Sequence, residues 1–379
     1  MDPLQLAQDL IRQDSVTSGS NRACSELLQR MLLDRGFEVI CHSYRDVYGS
    51  DKVLISAIRS GSASHDTGLA FLSHNDVVSV DGWRATNGCG PFDAFVDSEK
   101  LWGRGACDMK GPIACVLAAI DQISPEQQTA PIYFFVTGDE ECGMVGAQLL
   151  VQQCPIYRRM VQSLSVGVIT EPTQLRVVNS HKGGCQFTVT AHGIAAHSST
   201  SEGLNANWQL IPWLSYLSEV KLRIETDPAL RNEAFDPPTL SMNVVLKNQP
   251  TAYNITVGLA SCCVFIRTMP QTAWQALVDE LTKRAREMEL DVSAVAALSP
   301  VHTPAQQPIV QTALKVCSQT LPDAVSYATD GCRFSDLANM IVLGPGNIAQ
   351  AHRCDEWIEL EQLQRGTEVY RQLIQHYAG

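Results

Sequence analysis

At 379 residues the chain exceeds what one hydrophobic core usually supports, so two domains are expected. Apolar residues make up 45% and charged residues 18%, which excludes a disordered chain. The formal charge of -12 argues against a general nucleic-acid or anionic-membrane surface, since both favour basic patches.

In chain order, 3–13 and 21–35 read as helices, the second ending at Gly36. The acidic, amphipathic start MDPLQLAQDLIRQDS lacks the basic head and apolar core of a secretory signal, and no later run reaches bilayer length. A cytoplasmic protein is expected. Strands are expected at 37–42, 52–58, 69–73, 132–137 and 166–170, and a helix at 110–122 with Gly111 and Pro112 in its first turn. The segment 81–104 is rich in Gly, Trp, Asn and Asp and reads as a long loop, which inside a compact domain is usually functional. This alternation indicates an α/β fold, a mainly parallel sheet covered by helices. Composition then shifts: 184–191 alternates like a half-exposed strand, 204–222 reads as a helix, 240–247 and 260–267 as strands, 271–289 as a helix and 290–297 as a strand. That order is the ferredoxin-like α+β pattern. A helix at 306–319, a buried strand at 340–343 and a last helix at 360–377 resume the first domain. The expected division is 1–178 with 299–379, interrupted by an insert at 179–298.

In an open parallel sheet, ligands bind beyond the carboxyl ends of the strands. GLAFLSHNDVV ends its apolar stretch at His74, PIYFFVTGDEE at Glu140 and Glu141, and VGVITEPT at Glu171. Asp108 sits in GRGACDMKG, a glycine-rich turn before a helix, and His352 lies in a late loop. Each position alone is an ordinary cap, turn or structural residue; their coincidence points to a hydrolytic centre with two metal ions. Asp108, Glu141 and Glu171 supply three negative charges against four on two divalent ions, and a bridging hydroxide brings the cluster near neutrality. Oxygen and imidazole ligands suit zinc, cobalt or manganese.

If Glu141 is a ligand, its neighbour Glu140 is better placed as the general base, because adjacent side chains are expected to diverge. Asp76, two residues after His74, is expected to accept a hydrogen bond from that imidazole and fix its tautomer. The thirteen cysteines are odd in number and read as reduced thiols. Cys107, Cys142 and Cys354 lie near the candidate ligands; small buried residues are the expected reading, with a cysteine-ligated zinc as the alternative.

SHNDVV, GRGACDMKG, TGDEECG, TEPT and AHRCDEW occur in the order found in the co-catalytic zinc aminoacylase and carboxypeptidase family, which the chain resembles over nearly its whole length. That family includes acetylornithine deacetylase, succinyl-diaminopimelate desuccinylase and glutamate-releasing carboxypeptidases. The resemblance implies a zinc-peptidase-like catalytic domain with two zinc ions per subunit, cobalt being an alternative. Asp108 would bridge them, His74 and Glu171 would complete one site, and Glu141 and His352 the other. Glu140 would be the catalytic base and Asp76 the carboxylate that supports the His74 imidazole. The insert resembles the family's lid, which also forms a homodimer. There His197 matches the histidine that steadies the tetrahedral intermediate, often across the dimer, whereas His192 reads as a surface residue. Arg267 matches a lid arginine for a substrate carboxylate, and Asn254 a lid asparagine near it.

The chain departs from the family at Phe265, where an acid is usual, and lacks prolines common in the lid. Its run LGPGNIAQAHRCDEWIEL is closest to acetylornithine deacetylases, with Gly344 to Gly346 forming a turn beside the substrate. Thr329 and Asp330, in YATDGCRFSD, fall where relatives line the substrate pocket; helix capping is the competing role. The resulting expectation is a homodimeric di-zinc amidohydrolase acting on a small N-acyl amino acid, with no nucleic-acid or membrane partner. N-acetylornithine is the leading substrate, in arginine biosynthesis, attacked by a metal-bridged hydroxide with Glu140 as base. Desuccinylase and dipeptidase or carboxypeptidase activities are the rivals within the family, and a metal-free scaffold is the rival of another class.

Overall fold

The computed structural model describes residues 1–63, 67–84 and 88–379, so positions 85–87 of the expected 81–104 loop lie outside the described residues. Two compact units are formed: Met1–Asn179 with Thr303–Asp323 and Thr329–Gly379, and Ser180–His302 with Ala324–Ala328. The second unit therefore extends four residues past the expected insert and also takes up a short later segment.

In the first unit, four parallel strands lie side by side in the order Ile132–Thr137, Leu69–His74, Val166–Ile169 and Met340–Val342. Every residue in them is buried, which explains why they read as continuous apolar runs and not as alternating patterns. An antiparallel hairpin, Glu38–Arg45 with Asp51–Arg59, extends the sheet beside Ile132–Thr137. The fold is thus α/β with a largely parallel central sheet. The helix Lys110–Ile120 is buried along its whole length. The terminal helix Leu360–Tyr377 shares that core, where the Phe71 ring meets Tyr370 and Phe134 edge-on at 5.3 and 6.3 Å. The parallel strands all end on one edge of the sheet, the edge from which the candidate ligands emerge.

The second unit is an antiparallel sheet ordered Ser241–Gln249, Leu259–Arg267, Gly184–His192 and Asp291–Val292, with Ala296–Leu298 also on Gly184–His192. Along Leu259–Arg267 burial alternates. Ala260, Cys262, Val264 and Ile266 pack in one cluster with Trp213 and Leu217 of the helix Asn207–Thr226 and Leu277 and Leu281 of the helix Trp274–Glu287. The single strand expected at 290–297 is two short pieces, because the Ser293 hydroxyl takes the Thr188 N–H and interrupts the ladder.

Candidate metal centre

His74 and Asp76 leave the central strand on one side while Asn75 turns away into buried hydrogen bonds with Asn21 and Ser25. That anchoring orients the imidazole. Nδ1 of His74 donates to the carbonyl oxygen of Asp76 at 3.0 Å, and Nε2 faces Asp108 Oδ1 at 3.1 Å and Glu171 Oε1 at 3.3 Å. On the other side of Asp108, Oδ2 lies 3.5 Å from His352 Nε2, which also meets Glu141 Oε2 at 3.1 Å. Two groups result, His74–Asp108–Glu171 and Asp108–Glu141–His352, each with ligand atoms within 4.8 Å of one another. Asp108 is common to both. Three carboxylates and two imidazoles around one shared carboxylate suit a pair of divalent cations, and no cysteine joins these groups among the described residues. Cys107 instead donates its S–H to the Asn347 carbonyl, and Cys142 faces Asp46. None of the thirteen cysteines forms a disulfide among the described residues.

The acid pair is arranged differently from the expectation of two side chains thrown to opposite faces. Glu140–Cys142 is a 3-10 turn, and Glu140 also brings a carboxylate oxygen within 4.8 Å of His74 and Glu141. What separates the two residues is their partners. Glu141 is engaged by His352, whereas the Glu140 carboxylate accepts no hydrogen bond among the described residues. The role expected of Asp76 also changes: its carboxylate lies 3.4 Å from His74 Nδ1, farther than its own carbonyl, and accepts the backbone N–H groups of Glu140 and Glu141, each at 3.2 Å. Asp76 thus holds the turn that presents the acid pair. Asp139, unassigned by sequence reasoning, accepts the N–H groups of Val145 and Gly146 at 2.9 Å and anchors the start of the helix Val145–Gln153. That helix carries no marked periodicity in sequence, so its anchor was not recognisable.

Burial dominates the electrostatics. It raises Glu140 well above the usual carboxylate range, with Glu171 and Glu141 adding repulsion, and pushes Glu171 up to about 7. His352 is pushed up to about 10 by its bonds to Asp108 and Glu141. Burial pulls His74 down, but Asp108, Asp76 and Glu171 outweigh it and hold the imidazole well above its ordinary value. Burial likewise works against the Asp108 carboxylate, yet the two histidines keep it below its ordinary value. The acids around the two imidazoles thus favour the imidazoles' charged forms, and the imidazoles in turn favour that of Asp108.

Thr329 is fully buried, and its hydroxyl accepts the Gly331 N–H, capping the turn Asp330–Arg333. The structure uses it as a cap and leaves it no exposed face. Asp330 is buried too: Oδ2 accepts from Thr137 at 2.6 Å, while Oδ1 has no partner among the described residues. Gly344 packs against the backbone of Thr170 and Glu171, its carbonyl accepting the N–H groups of Thr173 and Leu175.

In the second unit His197 is exposed, with Nδ1 2.7 Å from Ser199 Oγ, and it bridges to Ile255 next to Asn254. Arg267 stands at the far end of Leu259–Arg267, so a nine-residue strand, on the order of 25 Å, separates it from Asn254. The two were expected near each other. Register decides otherwise, because Leu259 pairs with His192 at one end and Arg267 with Ser241 at the other. His192 is an exposed surface residue paired with Asp291.

A family model for peptidase family M20/M25/M40 matches residues 70–376. Acetylornithine deacetylase of Myxococcus xanthus is 29% identical over 384 residues, covering 98% of this chain and 96% of that protein. The acetylornithine deacetylase of Proteus mirabilis is 29% identical over 374 residues, covering 96% and 92%. Among solved structures, an M20 family metallo-carboxypeptidase from Sulfolobus solfataricus has a TM-score of 0.72 at 16% identity, covering 99% of each chain. A dinuclear metal-binding M20 peptidase from Bacillus subtilis has 0.67 at 13%, covering 99% of this chain and 97% of its own. No helix among the described residues is long and apolar enough to cross a membrane. With its two ligand groups sharing one aspartate, the chain belongs to peptidase family M20/M25/M40 and is a metal-dependent amide hydrolase.

Proposed function

We propose that the chain removes the acyl group from N-acyl amino acids, with N-acetylornithine as its substrate and zinc as its metal. The observation that carries this reading is the pair of ligand groups joined at Asp108 with the uncommitted carboxylate of Glu140 beside them. The full-length likeness to two acetylornithine deacetylases supports the choice of substrate. Held by His74, Asp108, Glu141, Glu171 and His352, two divalent ions would acidify a water and polarise the acyl carbonyl.

The chain's own residues do the rest. Glu140 takes the proton of the attacking water and returns it to the leaving nitrogen; burial, which raises its pKa, matches it to that shuttle. Asp76 keeps Glu140 and Glu141 in register through their backbone. Arg267 pairs with the substrate carboxylate, for which a planar guanidinium is suited. The unpaired Oδ1 of Asp330 is a buried acceptor for the substrate's side-chain amine. His197 donates to the developing oxyanion, a contribution of about 3–4 kcal/mol in comparable sites. The enzyme works as a cytoplasmic homodimer joined through the second unit. Retention of every ligand together with the base argues against a metal-free scaffold.

The test is a panel of N-acetylornithine, N-succinyl-diaminopimelate and a dipeptide on zinc-loaded enzyme, with Glu140→Gln as control. Hydrolysis of the first, lost in the control, is expected. Turnover of only the second or third would transfer the chain to that activity.

A further inference from the structure

Glu356 is buried, 1% exposed, and lies four residues after His352 without joining the ligand groups. Its Oε2 accepts from Arg104 Nη1 and from the Gly105 N–H, both at 2.9 Å. Its Oε1 accepts the N–H groups of Cys107 at 2.8 Å and Asp108 at 3.0 Å. Four donors fill the acceptor sites of one carboxylate. All of them belong to Arg104–Asp108, the turn that delivers the carboxylate shared by both histidines. The backbone repeats the connection, since Gly103 N–H donates to the Glu356 carbonyl and Trp357 pairs with Trp102 in an antiparallel ladder.

We propose that Glu356 is a positioning residue for the metal centre: a side chain from the His352 segment serves as the mould on which the Asp108 turn is wound, assembling the two ligands as one unit. The proposal rests on the metal-dependent reading of the centre. A simple ion-pair staple would need only the guanidinium of Arg104. Three of the four donors are instead backbone N–H groups, the last belonging to Asp108 itself, so the carboxylate governs where that residue stands. The segment also needs holding, because His352 has a φ of 64°, in the left-handed region that non-glycine residues rarely adopt.

Glu356→Gln tests this without changing shape. In either orientation the amide NH₂ meets donors already in place, so two of the four bonds are lost. Zinc and cobalt binding by equilibrium dialysis is expected to weaken about 10–100-fold for at least one ion, as for other groups that orient metal ligands. The electronic spectrum of the cobalt-loaded protein should change with it. In the metal-free protein, the amides of Gly105, Cys107 and Asp108 should exchange faster while those of Lys110–Ile120 stay protected. If Glu356→Gln does not fold, Glu356→Asp, which keeps both oxygens but withdraws them by one methylene, is read in the same way. A folded variant with parental affinity, cobalt spectrum and amide exchange would reduce Glu356 to a staple and overturn the proposal. Failure of the parent to hydrolyse N-acyl amino acids would remove the functional reading without touching these measurements. A parent that binds no divalent ion would overturn both.

Discussion

Glu140 and Glu141 share a side chain and a backbone anchor in Asp76, and differ in what their carboxylates meet. Their loss should therefore differ in kind. Glu140→Gln should keep its metal content and lose kcat by about 10²–10⁴, the usual worth of a positioned proton shuttle. Glu141→Gln should bind less metal, since it breaks the group that includes His352; elemental analysis beside steady-state kinetics separates the two. The titrations of the metal-free protein give a second expectation. Glu171 and Asp330 are each raised to about 7 and His352 to about 10. Groups raised on folding stabilise below their unfolded values, and that stability is lost as pH rises through the folded values. Asp108, lowered on folding, contributes constantly above its unfolded value. The melting temperature of the chelator-treated protein should thus fall between about pH 5 and pH 10, and a flat or rising profile contradicts the assignment. Four of the five candidate ligands stood out in the sequence because each ends an apolar run or opens a helix, whereas His352 lies in a loop. Glu356 and the backbone role of Asp76 did not, because they act on N–H groups distant in sequence, and Asp139 did not because the helix it anchors shows no marked period.

At the scale of elements, the four parallel strands were readable from LAFLSH, IYFFVT, VGVI and MIVL, since strands buried on both faces leave unbroken apolar runs. The helices Val145–Gln153 and Pro155–Gln162 were not: the first shows little periodicity, and the second, though amphipathic, is only eight residues long and begins at a proline directly after the first. The turn after Met340–Val342 shows how one element fixes another's ligand. A Cβ at Gly344 would lie 2.3 Å from the Thr170 carbonyl oxygen and 2.5 Å from that of Glu171. Both neighbours are backbone, so the strand end carrying Glu171 has to move. Gly344→Ala should cost about 1–3 kcal/mol of stability, as overpacking does, and weaken metal binding as well. Chemical denaturation and dialysis of the same preparation measure the two effects; a stable variant with full metal content would show that Glu171 is positioned by something else.

For the whole molecule the second unit matters most, and its sequence disclosed the element order but not the distances between residues. His197 and Asn254 gather at one end of Leu259–Arg267 while Arg267 stands at the other, so residues assigned to one substrate lie about a strand's length apart within a chain. The homodimer proposed above would resolve this if each site drew Arg267 from its own chain and His197 from the partner. The surface supports such pairing. Ser241–Gln249 is an edge strand exposing Val244, Val245 and Leu246, and the adjoining helix exposes Trp208, Ile211 and Leu222. A long apolar edge of this kind is normally covered. Val245→Lys should shift the protein toward monomer in sedimentation and lower its activity. Mixing inactive variants then asks where His197 acts. After unfolding and refolding together, His197→Ala and Glu140→Gln chains in equal amounts form mixed dimers, in which the His197→Ala chain keeps its own Glu140 and receives the partner's His197. About a quarter of all sites should recover, the fraction set by random pairing in a two-fold dimer. Action within one chain predicts no recovery at any mixing ratio, because every site then lacks one of the two groups.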